Sequence, residues 1–269
     1  MVCTPKNEGG LGLRYSLDWN RATIGKLVWW IYSKRDSLWV KWVHQVYIKG
    51  SSWDSHVPKT HMSWNWKTIY KIRDDFKSGY DAGTWLADKK GYTVCSGYDW
   101  IRHKEQKVGW AKLIWKSWAL PKHKFLSWLI LKIALNVKVK LFKHGTCQDD
   151  ICRLCGAGQE TVEHVFQTCQ YVSMVLAGVC DWLGIPKPTV NRIIWVGRRN
   201  WSLLKRNVCL AVVMAVYYAV WHQRNQARLE GIVLRQNISI HQIQQCFKLR
   251  MISCKIVTRV DPNWMASIM

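Results

Sequence analysis

Apolar residues recur at intervals of three and four along most of this 269-residue chain, which is typical of helices with one buried face. Between residues 18 and 48 the spacing predicts two helices joined near residues 34–37. The same pattern predicts further helices over residues 64–76, 110–118, 125–142, 161–183 and 203–229. Ser96, followed three residues later by Asp99, resembles an N-terminal capping pair and predicts another helix from Gly97.

One segment departs from the helical pattern. Residues 84–87 and 91–95 flank the sequence Asp88-Lys89-Lys90-Gly91, in which a glycine closes a tight turn, and this arrangement predicts a short β-hairpin. The predicted fold class is therefore mainly α with a short β-hairpin. A cluster of glycine and proline at residues 184–188 is the best candidate for a boundary, and we predict three segments, residues 1–80, 81–184 and 185–269.

The composition is that of a globular protein, with 49% hydrophobic and 21% charged residues. The longest apolar stretch, residues 208–221, is shorter than the roughly 20 residues that span a bilayer, so we expect a buried helix and no transmembrane segment. The N-terminal residues lack the apolar core of a secretory signal. The ten cysteines are therefore expected in a reducing, intracellular compartment, where clustered cysteines bind metal more often than they form disulfides.

The charge balance is strongly basic, since 40 lysines and arginines against 17 acidic residues give a net charge of +23. A charge of this size repels itself in the compact state and implies a polyanionic partner, RNA or DNA in the first place. An anionic membrane surface is the alternative, but the charge is spread along the chain and not gathered on one amphipathic segment, which favours nucleic acid. The 19 tryptophans are expected mainly in the core, although an exposed ring can stack on a base.

Four residues have the spacing of metal ligands. Cys152 and Cys155 form a C-x2-C pair, and His164 and Cys169 follow within 14 residues of it. Three thiolates and one imidazole make a closed tetrahedral shell of the kind that holds structural Zn²⁺ and leaves no position open for catalysis. The pattern therefore predicts a small Cys3His zinc knuckle that clamps the helices on either side of it. Cys147, five residues upstream of the pair, is an alternative ligand or a free thiol.

The rest of the sequence contains no other constellation that carries chemistry. The remaining histidines are dispersed, no glycine-rich phosphate loop is present, and the pair Asp74-Asp75 has the setting of a solvated helix end. Carboxylates are too sparse for a two-metal polymerase or nuclease site. We therefore expect no catalytic residues.

Several stretches, in chain order, resemble one known family: residues 2–13, 18–22, 36–40, 92–98, 115–128, 152–169 and 219–225. Together they resemble the C-terminal part of plant LINE-type (non-LTR) retrotransposon reverse transcriptases, including the zinc-binding domain of that family. The cysteine–histidine stretch is the most specific of them. The chain departs from the family at Cys95 and Gly97, where a lysine and an alanine are usual.

The resemblance implies a fragment of a retroelement polyprotein that lacks the polymerase and endonuclease centres, which lie upstream in full-length relatives. It implies a non-enzymatic, zinc-binding region that binds RNA or DNA in the nucleus, in contact with other domains of the parent polyprotein. Candidate phosphate contacts flank the knuckle: Lys122, Lys124, Lys138, Lys140, Lys143 and Arg153. Each of them has the ordinary solvated surface residue as its alternative. For the whole chain the alternatives are a structural element that braces a polymerase core and a retroelement relic without function.

Overall fold

A computed structural model describes residues 2–58, 62–81, 85, 91–188 and 191–253 of the chain. The chain divides into two compact units, Met1–Lys107 and Val108–Met269, which are described separately. The described residues are mainly helical, as predicted. The three-segment division inferred from the sequence remains a prediction.

The first unit contains four α-helices among its described residues. They are α1 (Ser16–Tyr32), α2 (Leu38–Val43), α3 (Trp64–Asp81) and α4 (Val94–Ile101), with a 3₁₀ turn at Lys6–Glu8 and a π-helical turn at His44–Ile48 directly after α2. Helix α1 packs against both α3 and α4. The prediction of two helices between residues 18 and 48 is thereby confirmed.

Aromatic rings form the core of the first unit. Phe76 of α3 meets Trp85 and Tyr92, each with a ring-centroid distance of 5.6 Å, and those two rings are 5.1 Å apart. The Tyr92 hydroxyl donates to the carbonyl oxygen of Ala22 at 2.7 Å. The side chain is therefore held by this hydrogen bond as well as by the packing of its ring. Gly25 of α1 has no side chain at this point, and a Cβ there would lie 2.5 Å from the Tyr92 oxygen. The glycine therefore permits the close approach of α1 to the rings.

The predicted β-hairpin is wrong over the residues that the structure describes. Its first arm and turn lie mostly outside them, but its second arm is coil up to Thr93 and then becomes α4. The Thr93 hydroxyl accepts from the backbone N–H of Ser96 at 3.1 Å, and the Ser96 hydroxyl accepts from that of Thr93 at 3.0 Å. This reciprocal cap starts the helix at Val94, three residues before the predicted start at Gly97.

The second unit contains seven α-helices among its described residues. They are α5 (Trp110–Trp115), α6 (Pro121–Leu131), α7 (Lys138–Lys143), α8 (Gln170–Leu183), α9 (Arg192–Arg198), α10 (Leu203–Leu229) and α11 (Gln236–Ser253). Helix α10 lies at the centre and packs against α6, α8, α9 and α11. Its bounds match the prediction, whereas α9 and α11 were not predicted.

The helix predicted over residues 125–142 is interrupted, which corrects that prediction. Helix α6 ends at Leu131, and Ile133 then takes a left-handed backbone conformation with φ 52°. The N–H of Ala134 donates to the carbonyl oxygen of Leu129 at 2.9 Å and closes the helix end. Ile133 thus occupies the left-handed position that glycine usually takes at a helix C-terminus. The Lys140 ammonium donates to the Ile133 carbonyl oxygen at 2.5 Å and helps to hold the β-branched residue in this conformation.

Helix α10 is long and apolar enough to cross a membrane by length and composition. However, 61% of its most apolar window is buried inside the protein, and its middle is covered by neighbouring helices. This is the behaviour of a core helix.

Candidate metal centre

The segment between α7 and α8 brings together the two thiols of the C-x2-C pair, the imidazole and the third thiol predicted from the sequence. The potential ligand atoms of Cys152, Cys155, His164 and Cys169 all lie within 4.8 Å of one another. No other group of three or more histidine, cysteine or acidic residues is clustered in this way among the described residues. The spacing in the sequence therefore corresponds to one compact site.

The first two cysteines lie in a tight loop closed by backbone hydrogen bonds. The N–H of Cys152 donates to the carbonyl oxygen of Gly158 at 3.0 Å, and the N–H of Gly156 donates back to that of Cys152 at 2.9 Å. Gly156 and Gly158 have φ values of 69° and 80°, which a side chain would disfavour. An isolated antiparallel bridge between Ile151 and Gln159 closes the base of the loop. Both thiols consequently face the same space.

The second pair lies on a π-helical turn, His164–Thr168, which corrects the continuous helix predicted over residues 161–183. Five residues along an α-helix rotate by about 500°, so His164 and Cys169 would point about 140° apart. In the π turn the N–H of Cys169 donates to the carbonyl oxygen of His164 at 2.8 Å, which places the two residues one above the other. The chain then becomes extended at Cys169 before α8 begins. The wider turn thus directs both side chains to one point.

The donors have the chemistry of a zinc site. The Cys155 sulfur lies 3.3 Å from Nε2 of His164, and the Thr168 hydroxyl lies 3.4 Å from Nδ1 of the same ring, so Nε2 is the nitrogen that faces the sulfurs. Burial lowers the pKa of His164 and favours the neutral imidazole that binds metal. A hydrogen bond from Cys152 lowers the pKa of Cys169, while the same bond and burial raise that of Cys152. Three sulfurs and one nitrogen match the soft, tetrahedral preference of zinc.

Cys147 lies outside the cluster. Its thiol donates to the carbonyl oxygen of Asp149 at 3.2 Å. The Asp149 carboxylate pairs with the Lys138 ammonium and with the Arg153 guanidinium, the latter at 3.1 Å. Of the two roles open for Cys147 from the sequence, the geometry corresponds to the free thiol.

A buried ion pair ties the knuckle loop, residues 146–160, to the central helix. Glu160, four residues before His164, is fully buried and accepts from Nε of Arg224 on α10 at 2.9 Å. The same oxygen accepts from the backbone N–H of Lys138 at 2.8 Å. Sequence reasoning missed this anchor. The sequence offered no clear signal for it, because Arg224 lies in the polar C-terminal part of α10, residues 222–226, which has the pattern of a solvated helix end.

The six basic candidates differ in exposure. Lys122, Lys143 and Arg153 are exposed, and Lys124 and Lys140 are half-buried. Lys138 is only 3% exposed, and its ammonium forms an ion pair with Asp149 and donates to the carbonyl oxygen of Ile151. A lysine buried in this way presents no charge to a phosphate, so Lys138 is a structural residue.

Comparison with known proteins gives a family match over the same region. Residues 92–175 match a family model described as zinc-binding in reverse transcriptase. Over 70 residues the chain is 40% identical to an Arabidopsis thaliana protein named "Putative ribonuclease H protein", an alignment that covers 25% of this chain and 11% of that protein. No solved structure matches the chain with statistical significance. Across residues 92–175, which include the whole cluster, the chain is similar to the zinc-binding domain of reverse transcriptases.

Proposed function

We propose that this chain is a zinc-stabilised, nucleic-acid-binding region of a longer LINE-type retrotransposon polyprotein from a plant, and that it acts in the nucleus. The observation that carries the proposal is the convergence of four ligand atoms within 4.8 Å inside a segment that matches the reverse-transcriptase zinc-binding family. The matched part covers about a tenth of the Arabidopsis protein, so a role within a larger polypeptide is consistent with the alignment.

We propose a structural and not a catalytic role for the zinc ion. Three thiolates and one imidazole would fill all four tetrahedral positions, which leaves none for a reactive water. Cys152 and Cys169 are fully buried, so a bound ion would be shielded from substrate. The same reasoning supports a metal that holds the fold and does not catalyse.

The zinc role can be tested by metal analysis of the purified protein. We expect one zinc ion per chain, and we expect a chelator to reduce the helical circular dichroism signal because metal binding and folding are coupled. A protein that contains no zinc and keeps its spectrum after chelation would contradict this part of the proposal.

The nucleic-acid role rests on the net charge of +23 and on the basic residues that remain exposed near the knuckle. Binding of single-stranded RNA should be measurable near 100 mM salt and should weaken linearly on a double-logarithmic salt plot. Replacement of Lys122, Lys143 and Arg153 by glutamine should lower the slope by about 2, since each phosphate contact on a single strand contributes about 0.7. An unchanged slope would remove these three residues from the interface.

A bracing role is the second candidate, and exposed apolar side chains in the second unit favour it. Three apolar side chains are each about half exposed or more: Phe125 on α6, Phe142 on α7, and Ile133 between these helices. A bracing role would use exposed apolar side chains of this kind as contacts with another domain. Self-association of the purified chain, measured by light scattering and relieved by Phe125→Ser and Phe142→Ser, together with absent RNA binding, would support this alternative.

A further inference from the structure

A groove on the first unit has aromatic walls and opens to solvent. It has a volume of about 610 Å³ and lies between α1, the start of α2 and the start of α3. Trp30, Trp39 and Trp64 line it, each from a different helix. Asn65 and Thr68 add polar groups to the wall formed by α3. The groove thus offers flat apolar faces next to hydrogen-bonding groups.

Trp64 is exposed on a fixed backbone. It is the first residue of α3, and its carbonyl oxygen accepts from the Thr68 hydroxyl at 2.9 Å. One residue earlier, the Ser63 carbonyl oxygen accepts from the N–H of Lys67 at 3.1 Å. The Trp64 side chain is nevertheless 77% exposed. A large indole that the core does not use is well placed to bind a partner.

Basic side chains lie next to residues that line the groove. The Arg35 guanidinium lies 4.2 Å and the Lys26 ammonium 5.4 Å from the centroid of the Trp30 ring. Lys67 is exposed on α3, three residues after Trp64 and therefore on the same side of that helix. The carboxylate of Asp36 is offset by the Lys41 ammonium at 2.7 Å. Aromatic faces bordered by cations match a ligand with flat apolar groups on an anionic backbone.

We propose that this groove binds unpaired bases of single-stranded nucleic acid. At least one base stacks on Trp64, while Lys26, Arg35 and Lys67 contact the neighbouring phosphates. The inference rests on the proposed nucleic-acid function and gives it a site in the first unit, separate from the knuckle. Because every base has a π-face, this site tolerates different sequences and selects single strands over duplexes, whose bases are already stacked.

The experiment measures binding of a fluorescent RNA strand of about 12 nucleotides, and of an abasic strand of the same length, by anisotropy. Trp64→Ala should weaken binding of the RNA by about 5- to 140-fold, the loss expected when one stacked base is removed. Trp64→Phe should retain most of the affinity, and Trp64→Leu should be as weak as Trp64→Ala, because leucine keeps apolar area but has no ring. On the abasic strand the wild type and Trp64→Ala should bind alike.

Leu38→Ala is the matched control, because Leu38 is 87% exposed, lies beside the groove and is not aromatic. Its binding of both strands should equal that of the wild type. Wild-type affinity in Trp64→Leu would overturn the proposal, because an apolar side chain without a ring would then be sufficient. Equal weakening on both strands in Trp64→Ala would also overturn it. A wild-type chain that binds neither strand would refute the proposed nucleic-acid function as well, whereas tight binding unaffected by Trp64→Ala would refute only the groove.

Discussion

The aromatic core of the first unit and the knuckle loop of the second keep their shapes by different physical means. In the first unit, large rings such as Phe76, Trp85 and Tyr92 are buried against one another. In the knuckle loop, residues 146–160, Leu154 is the one large apolar side chain that is buried. Apolar burial can therefore stabilise the core but is too small to order the loop, which depends on its ligands and on one ion pair.

The largest expected effect comes from removal of one metal ligand, because this should destabilise the knuckle loop and leave the aromatic core of the first unit unchanged. Cys169→Ser should abolish stoichiometric zinc binding and unfold the knuckle loop, because structural zinc contributes about 10 kcal/mol or more to the folding of small zinc domains. Hydrogen exchange measured by segment should show loss of protection around residues 150–170 and unchanged protection in α1 and α3.

Cys147→Ser is the control for this variant, since the Cys147 thiol lies outside the cluster. It should keep both the zinc and the exchange pattern of the wild type. A loss of protection in α1 after Cys169→Ser would contradict the view that the first unit is independent of metal.

The buried ion pair is expected to have the next largest effect. Glu160→Leu leaves the Arg224 guanidinium buried without its carboxylate and should lower the free energy of unfolding of the second unit by about 3–5 kcal/mol. The double variant with Arg224→Met should recover much of this loss, because the two apolar side chains replace a desolvated pair. Urea denaturation of the three proteins measures the difference, and a double variant as unstable as the single one would contradict the explanation.

A change of pH should also distinguish the units. Burial is the main cause that lowers the pKa of His123 in the second unit to about 4 from a usual value of 6.5. The unfolded chain therefore takes up a proton that the folded chain refuses, so stability should fall as the pH drops from 6.5 to 4, by about 3 kcal/mol at most. In the first unit the pKa of Glu8 is lowered by its hydrogen bond to Arg102, so the stability it contributes should be lost only below about pH 4.5.

His123→Phe isolates the histidine contribution, because the ring that faces Tyr218 is kept and the titrating group is removed. Proton competition for the zinc thiolates is common to both proteins and cancels in the comparison. An identical pH dependence in the variant and the wild type, measured by urea denaturation, would exclude His123 as the source.

The smallest expected effect concerns the packing of the aromatic core. A glycine-to-alanine change inside a helix usually stabilises a protein by about 0.5–1 kcal/mol. Gly25→Ala should instead destabilise the first unit by about 1–3 kcal/mol, because the new Cβ would lie 2.9 Å from the Phe76 ring as well as against Tyr92. Thermal unfolding measures the change, and a more stable variant would show that the core is loosely packed.

The sequence predicted those parts of the molecule whose signals are local. The apolar run of α10 gave its bounds, and the Cys152–Cys169 spacing located the cluster. The helix breaks at Ile133 and before Cys169 were missed because neither site contains glycine or proline. At Ile133 the backbone takes a left-handed conformation without glycine, and before Cys169 a π turn brings together two ligands that are five residues apart. Helix α11 was missed because its buried face is defined by contacts with α8 and α10 and not by a strong pattern of its own.

The pairing of Glu160 with Arg224 has a consequence for the order in which the chain is made. The two residues are 64 positions apart, so the knuckle loop leaves the ribosome well before its counter-charge on α10 does. Until then the Glu160 carboxylate is without the guanidinium and stays in water, because burial of an unpaired charge is costly. All four ligands are therefore available to an ion before the loop can dock, and completion of the second unit waits for synthesis of its central helix.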